Sequence, residues 1–249
     1  MPSAVPLSQF CCLSALPLLA GAADPCAVVE VTAPMAADPL VTELDPRNPR
    51  QPVPAQDGAE CLGGIPGFHH VRKGGSGGEP VLRGMAGSRL AVLVDGEETP
   101  GGCGGRMDPP TAYILPEAWD RVQVIKGPQS VRYGPVGSAG TVLFQRLPPR
   151  WEAPGWKAAG SWMAGSFGRR DRVLDVQAGT PLGYGRAVGV DSRCGDYRGG
   201  DGREVHSRHD RWSAHGALGW TPNPRTWLEV RGTRSDGQAA YADRGMDGW

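Results

Sequence analysis

Thirty-eight glycines and 24 prolines punctuate a chain of 249 residues. Breakers at that density interrupt every helix of useful length, so a helical bundle is excluded. The glycines alternate with β-forming residues and eight tryptophans instead of forming a monotonous tract. That pattern describes a turn-rich all-β or α+β protein better than low-complexity disorder. The 26 basic residues are matched by 26 acidic ones, and a zero balance argues against a nucleic-acid binder or a polybasic membrane-surface protein. The length allows one or two domains.

The first charged side chain is Asp24, and Phe10 to Ala20 is a short apolar stretch followed by Gly21-Ala22-Ala23. This is the pattern of a signal peptide over residues 1–23, although no Lys or Arg stands near Met1. Pro17 and the short length rule out a spanning helix there, and no run of 18 apolar residues occurs elsewhere. A membrane role would therefore use β-strands. Export would leave Cys26, Cys61, Cys103 and Cys194, an even number for which three disulfide pairings exist. There is no CxxC pair to suggest a thioredoxin motif or zinc ribbon.

Three stretches follow the leader peptide. Residues 24–60 are rich in Pro, Asp and Ala, as in Asp45-Pro-Arg-Asn-Pro-Arg-Gln-Pro-Val-Pro54, and predict an extended, mobile segment. Residues 61–148 hold short β-like runs at Val81–Arg83, Leu90–Val94, Val122–Ile125 and Thr141–Phe144, with one helical start at Pro116–Asp120. They predict a compact α+β domain. Residues 149–249 change to a period near two, with five candidate strands at Trp156–Ala164, Arg172–Ala178, Gly185–Asp196, a segment around Trp212–Trp220, and Thr226–Ser235.

In the fourth of these, Trp212, Ala214, Gly216, Leu218 and Trp220 share one face, and Arg211, Ser213, His215, Ala217 and Gly219 the other. Trp212 and Trp220 are roughly 27 Å apart along a strand, close to the separation of the aromatic girdles of an outer-membrane barrel. A soluble β-sandwich alternates in the same way, so the pattern alone leaves both architectures open. The small residues on the polar face favour a barrel with a filled lumen.

Five motifs stand in order within the middle stretch: Ile65-Pro-Gly67, Lys73 to Gly84 (KGGSGGEPVLRG), Arg89 to Gly96 (RLAVLVDG), Val124 to Val131 (VIKGPQSV), and Tyr133-Gly-Pro135 followed by Ser138-Ala-Gly-Thr141. Together they resemble the plug domain of TonB-dependent outer-membrane receptors. Gly102 to Ile114 (GCGGRMDPPTAYI) is similar to the segment that marks the copper receptor branch, as are the Pro-rich leader and the late run Gly237–Gly248. The resemblance implies an α+β plug lodged in a 22-stranded transmembrane β-barrel, of which this chain would hold the plug and about five strands. It also implies location in the outer membrane, contact with lipid, and an inner-membrane TonB energy-coupling partner that pulls on an amino-terminal box. The candidate box is Val28-Val29-Glu30-Val31-Thr32, a β-prone segment suited to strand addition. A linker that happens to contain three valines reads the same way.

The resemblance assigns copper-ligand roles to Cys103 and Met107. Their chemistry fits: a thiolate and a thioether are soft donors that select Cu(I) over hard cations, and the flanking glycines allow a tight turn. The spacing taken alone equally fits a Cys103–Cys61 disulfide, or a small thiol with Met107 as packing filler. In the copper receptors the other ligands come from a later His-x-Met pair. None of His69, His70, His206, His209 and His215 has Met two residues on, so the complete site is not encoded here. A 22-stranded barrel needs well over roughly 400 residues, and only 101 follow position 148. The sequence therefore reads as a partial chain.

Other chemistry finds less support. His69 and His70 would point to opposite faces of a strand. Lys73–Glu79 lacks the Gly-Lys-Ser/Thr of a phosphate loop, and no G-x-S-x-G elbow occurs; no catalysis is expected. Arg83, Arg89, Asp95 and Lys126 lie in the plug motifs and are expected to make buried ion pairs or hydrogen bonds to the barrel wall. The sequence thus predicts a receptor for copper uptake. A receptor for an iron chelate or other nutrient, a non-functional remnant and a soluble periplasmic copper-binding module are the alternatives.

Overall fold

The computed structural model describes residues 40–48, 53–74, 77–99, 101, 108–127, 133, 137–223 and 225–240. The signal-peptide stretch, the box candidate Val28–Thr32, and the pair Cys103 and Met107 lie outside the described residues. Among the described residues no helix is long and apolar enough to cross a membrane.

The chain enters through β1 (Val41–Leu44) and the short helix α1 (Gly58–Leu62), then forms β2 (Phe68–Gly74), β3 (Gly77–Leu82), β4 (Leu90–Val94), β5 (Glu97–Glu98), β6 (Arg121–Lys126) and β7 (Gly140–Gln145). Five of these strands build one mixed sheet in the order β1-β6-β7-β4-β5, and β2 and β3 form a separate hairpin. β4 and β7 run parallel, Leu90 beside Gly140 through Val94 beside Phe144. That explains the unbroken apolar run of β4: a parallel strand is covered on both faces. Leu62, Ile65, Leu82, Val122, Val124, Val142 and Phe144 fill the core. The Trp119 ring meets Phe144 edge-on at 6.2 Å. Asp95-Gly96 closes β4 onto β5 with both residues at positive φ, 50° and 89°, the backbone of a type I′ turn.

Two local expectations are corrected. Part of the stretch read as extended leader is ordered: β1 pairs antiparallel with β6, from Val41 beside Ile125 to Leu44 beside Val122. Asp57 then caps α1, its Oδ1 accepting from the Glu60 amide at 2.8 Å while Glu60 Oε2 accepts from the Gln56 amide. The prolines thus confine the order to short segments without abolishing it. At Pro116 the expected helix stops after one 3-10 turn, Pro116–Ala118, because Trp119 adopts extended backbone and turns its ring into the core.

A second sheet follows: β8 (Gly155–Ala164), β9 (Arg170–Thr180), β10 (Gly183–Cys194), the small hairpin β11 (Tyr197–Arg198) and β12 (Glu204–Val205), then β13 (His209–Asn223) and β14 (Thr226–Ala239). The five long strands form an antiparallel meander, β14-β13-β10-β9-β8. This sheet is inside out. Trp156, Trp162, Leu174, Trp212, Leu218, Trp220 and Val230 are exposed, Leu218 at 72%, whereas Asp171, Asp175, Gln177, Arg186, Ser192, His209 and His215 are buried. A soluble sandwich would bury the first set and expose the second. The alternation that fitted both architectures therefore belongs to an outward-apolar sheet whose polar face covers the plug, the pattern of barrel strands.

Register sorts the outward tryptophans into two levels. Trp162, Arg172, Asp191 and Trp212 are consecutive cross-strand partners at one end. Trp156, Ala178, Gly185 and Leu218 align near the other, with Trp220 beside Gly183 two positions further. Between the long strands, the connections at the Trp220 end are two residues long, 181–182 and 224–225, and those at the Trp212 end are the longer 165–169 and 195–208. In outer-membrane barrels the short turns are periplasmic and the longer loops extracellular.

Candidate functional site

Residues 102–107, with Cys103 and Met107, lie outside the described residues, and the elements on either side of them are both ordered. Upstream, the β4–β5 hairpin ends with the Thr99 amide donating to Val92 O at 3.2 Å. Downstream, Tyr113 OH donates to the Asp108 carboxylate. Pro109 starts a 3-10 turn, Pro110–Tyr113, in which buried Thr111 donates Oγ1–H to Gly78 O at 2.6 Å. Arg211 of β13 crosses from the barrel wall to donate to Ala112 O and Gln56 O. The return leg is thus fixed both to the plug hairpin and to the wall, near the long-loop end of β13.

The wall and plug are joined more firmly by four charges. Arg186 of β10 holds both oxygens of Asp120, at 2.5 and 2.8 Å, and reaches Asp175 of β9 at 2.7 Å. Arg47 sits across the same group, 2.8 Å from Asp175 and 3.1 Å from Asp120. Two guanidinium groups thus face two carboxylates, which keeps each buried charge compensated. Gln177 adds a hydrogen bond to Asp175, and Ser161 of β8 donates to Glu117 beside the cluster.

Asp95 is the expected plug residue that does meet the wall. Its carboxylate pairs with Arg146 at 3.1 Å, and its carbonyl accepts from Arg231 of β14 at 2.7 Å. Arg146 also lies 3.7 Å over the Trp119 ring; burial pulls its pKa down, opposed by Asp95. Lys126 is buried but donates within the plug, to Pro66 O. Arg83 and Arg89 are exposed. Asp57, buried behind Gly78, is pushed above the usual carboxylate range by desolvation, against the Glu60 amide and the charges of Arg72 and Arg211.

Residues that the sequence reading missed carry most of the plug–wall contacts: Arg47, Asp120, Asp175, Arg186 and Arg211. For Asp175, Arg186 and Arg211 the available signal was their place on the inward face of β9, β10 and β13; Arg47 and Asp120 lie outside the strands and carried none. At the long-loop end, Asp171, Ser192 and His209 form a further buried group, with Ser192 Oγ 2.6 Å from Asp171 Oδ1 and 3.3 Å from His209 Nε2. Asp196, Glu204 and His206 gather their ligand atoms within 4.8 Å on the 195–208 loop. There Asp196 already accepts from the Ser207 and Arg208 amides and pairs with His206 at 3.2 Å. That is the arrangement of a loop anchor.

A small mixed domain tied through charged groups to the polar face of an outward-apolar antiparallel sheet defines a plugged outer-membrane barrel protein. Residues 41–141 match the TonB-dependent receptor plug domain, and the chain belongs to the TonB-dependent receptors, a family of the outer membrane. Among solved structures it is similar to the copper transporter OprC, at 50% identity and TM-score 0.80 over 85% of this chain and 32% of that one. The ferric enterobactin receptor of Pseudomonas aeruginosa matches at 19% identity and TM-score 0.63 over 82% of this chain and 33% of that one. The siderophore receptor PirA of Acinetobacter baumannii matches at 16% and 0.61, over 82% and 32%. The last two likenesses concern the fold alone. The chain spans about a third of the length of the solved structures it matches.

Proposed function

We propose that this chain is the plug and first wall strands of an outer-membrane receptor that binds and takes up copper. Cys103 and Met107 offer soft ligands to Cu(I), and Val28–Thr32 is the strand added to the TonB partner. Residues 1–23 direct export, 24–60 lead into the plug, 61–148 form most of it, and 149–249 begin the barrel. The observation that carries the reading is 50% identity to a copper transporter across 85% of this chain. The donor chemistry supports it: thioether and thiolate favour Cu(I), and two ligands leave positions for others from elsewhere in a complete receptor.

The test is a Cu(I) titration of the detergent-solubilised chain against a competing chelator, beside Cys103→Ser and Met107→Ala. Affinity lowered about tenfold or more by each change is expected, since two donors leave little binding once one is lost. Binding indifferent to both changes would remove the copper assignment at this pair and leave a TonB-dependent plug of unspecified cargo.

A further inference from the structure

Cys194 and His209 are direct cross-strand partners on β10 and β13, so their side chains leave the same face of the sheet, with Cβ atoms about 5 Å apart. Both line a cleft of about 490 Å³ at the long-loop end, together with Phe167, Arg193, Arg208 and Gln238. Cys194 is a free thiol, and its Sγ makes only a long contact of 3.9 Å to Phe167 O. His209 is 4% exposed, and its Nδ1 has no hydrogen-bond partner among the described residues.

The hydrogen bonds fix which nitrogen of His209 is available. Asp171 pairs with Arg169 at 2.8 Å, so it is an ionised acceptor. Ser192 must then donate its single hydroxyl proton to Asp171. Its oxygen is left to accept, which requires the proton of His209 on Nε2. Nδ1 therefore carries a lone pair. An imidazole whose far nitrogen is held by a hydroxyl–carboxylate pair is oriented as metal-binding histidines are.

We propose that Cys194 and His209 form a second, rim-level site for a soft monovalent cation, Cu(I) or Ag(I), separate from Cys103 and Met107. Binding replaces the thiol proton by the metal: Cys–SH and M⁺ give Cys–S–M and H⁺, with His209 Nδ1 donating its lone pair. No electron is transferred and the local charge is unchanged. Selection against Zn²⁺ comes from coordination number: the pair supplies two donors, whereas Zn²⁺ is almost always held by four. Thiolate and imidazole both suit copper, and the thiolate favours the monovalent state.

The site can be read without disturbing it. Trypsin releases Cys194–Arg198 as its own peptide, because Arg193 and Arg198 bound it. In a Cys103→Ser, Met107→Ala chain, stoichiometric Cu(I) or Ag(I) should protect that peptide from maleimide labelling, and Zn(II) should not. His209→Gln should abolish the protection, and Ser192→Ala should weaken metal affinity about tenfold while leaving the thiol labelled normally without metal. Absence of protection, protection unaffected by His209→Gln, or equal protection by Zn(II) would each overturn the site. Since the plug pair is already removed, none of these outcomes depends on the plug reading.

Discussion

Arg186 grips both carboxylate oxygens of Asp120, joining a barrel strand to the plug across 66 positions of sequence. The guanidinium is almost wholly buried, 2% exposed, and Asp175 lies behind it at 2.7 Å. Replacing Arg186 by Met leaves two carboxylates with one half-exposed cation, so a loss of about 3–5 kcal/mol is expected. Arg47 is 32% exposed, and solvent screening reduces the cost of Arg47→Met to about 1 kcal/mol or less. Guanidinium unfolding in detergent should rank the two in that order.

The outward tryptophans should be reachable from lipid and the plug tryptophan should not. In vesicles of brominated phospholipid, fluorescence from Trp162 and Trp212 should be quenched, and Trp119, buried against Phe144, should keep its emission. Single-tryptophan chains make the comparison. Equal quenching of Trp119 and Trp212 would contradict the inside-out assignment.

Leu218 and its neighbour Ala217 should respond oppositely to change. Leu218 faces outward at 72% exposure and Ala217 inward at 5%. Leu218 is level with Trp156 near the end of the strands, so Leu218→Arg should cost only about 0–1 kcal/mol of membrane insertion. Leu218→Ala should leave detergent-state stability almost unchanged. Ala217→Leu should destabilise in detergent, by about 1–3 kcal/mol, through overpacking against the plug side.

Gly219 leaves room for an aromatic ring. A Cβ there would lie 2.2 Å from the Tyr184 ring, which donates its hydroxyl to Glu229 and accepts from Trp227. Gly219→Ala should therefore displace the ring and cost about 1–3 kcal/mol. The added loss should largely disappear in a Tyr184→Ala background. Thermal melts of the four chains provide the cycle.

Asp196 should titrate low. Its hydrogen bond from His206, followed by those from the Arg208 and Ser207 amides, holds the carboxyl below the usual carboxylate range. A depressed native pKa means that the anchoring contribution is present above about pH 3.9 and is lost as pH falls through the lower native value. Carbon-13 shifts of Asp196 should show a midpoint below that of a free aspartate. Trypsin should cut at Arg203 and Arg208 faster in Asp196→Ala than in the parent chain.

The five wall strands were legible because a period of two survives any tertiary context. The structure lengthened four of them, the fourth running from His209 to Asn223, and moved the third back by two residues to Gly183–Cys194. The face that turned inward was not legible, since water and lipid invert the meaning of an identical alternation. β1 was concealed by the prolines after it, its order coming from β6, some 80 positions away. The ionic cluster was hidden for a similar reason: Arg47 and Asp175 are 128 positions apart. No local spacing announces such a pair. The copper-ligand pair was proposed from a motif, and its geometry lies outside the described residues.

β1 occupies an edge of the plug sheet, held by a single ladder of four residue pairs, and Arg47 follows three positions after it. Mechanically these are two fasteners in series. Tension entering upstream of Val41 loads the ladder from its first pair, Val41 and Ile125, and can open it one step at a time instead of shearing all four pairs at once. The next fixed point is the Arg47 knot, tied directly to Asp175 on the wall. A tug on the amino-terminal side is thus met first by the ladder and then by the Arg47 ion pairs, before it reaches the parallel β4–β7 pair at the centre of the sheet.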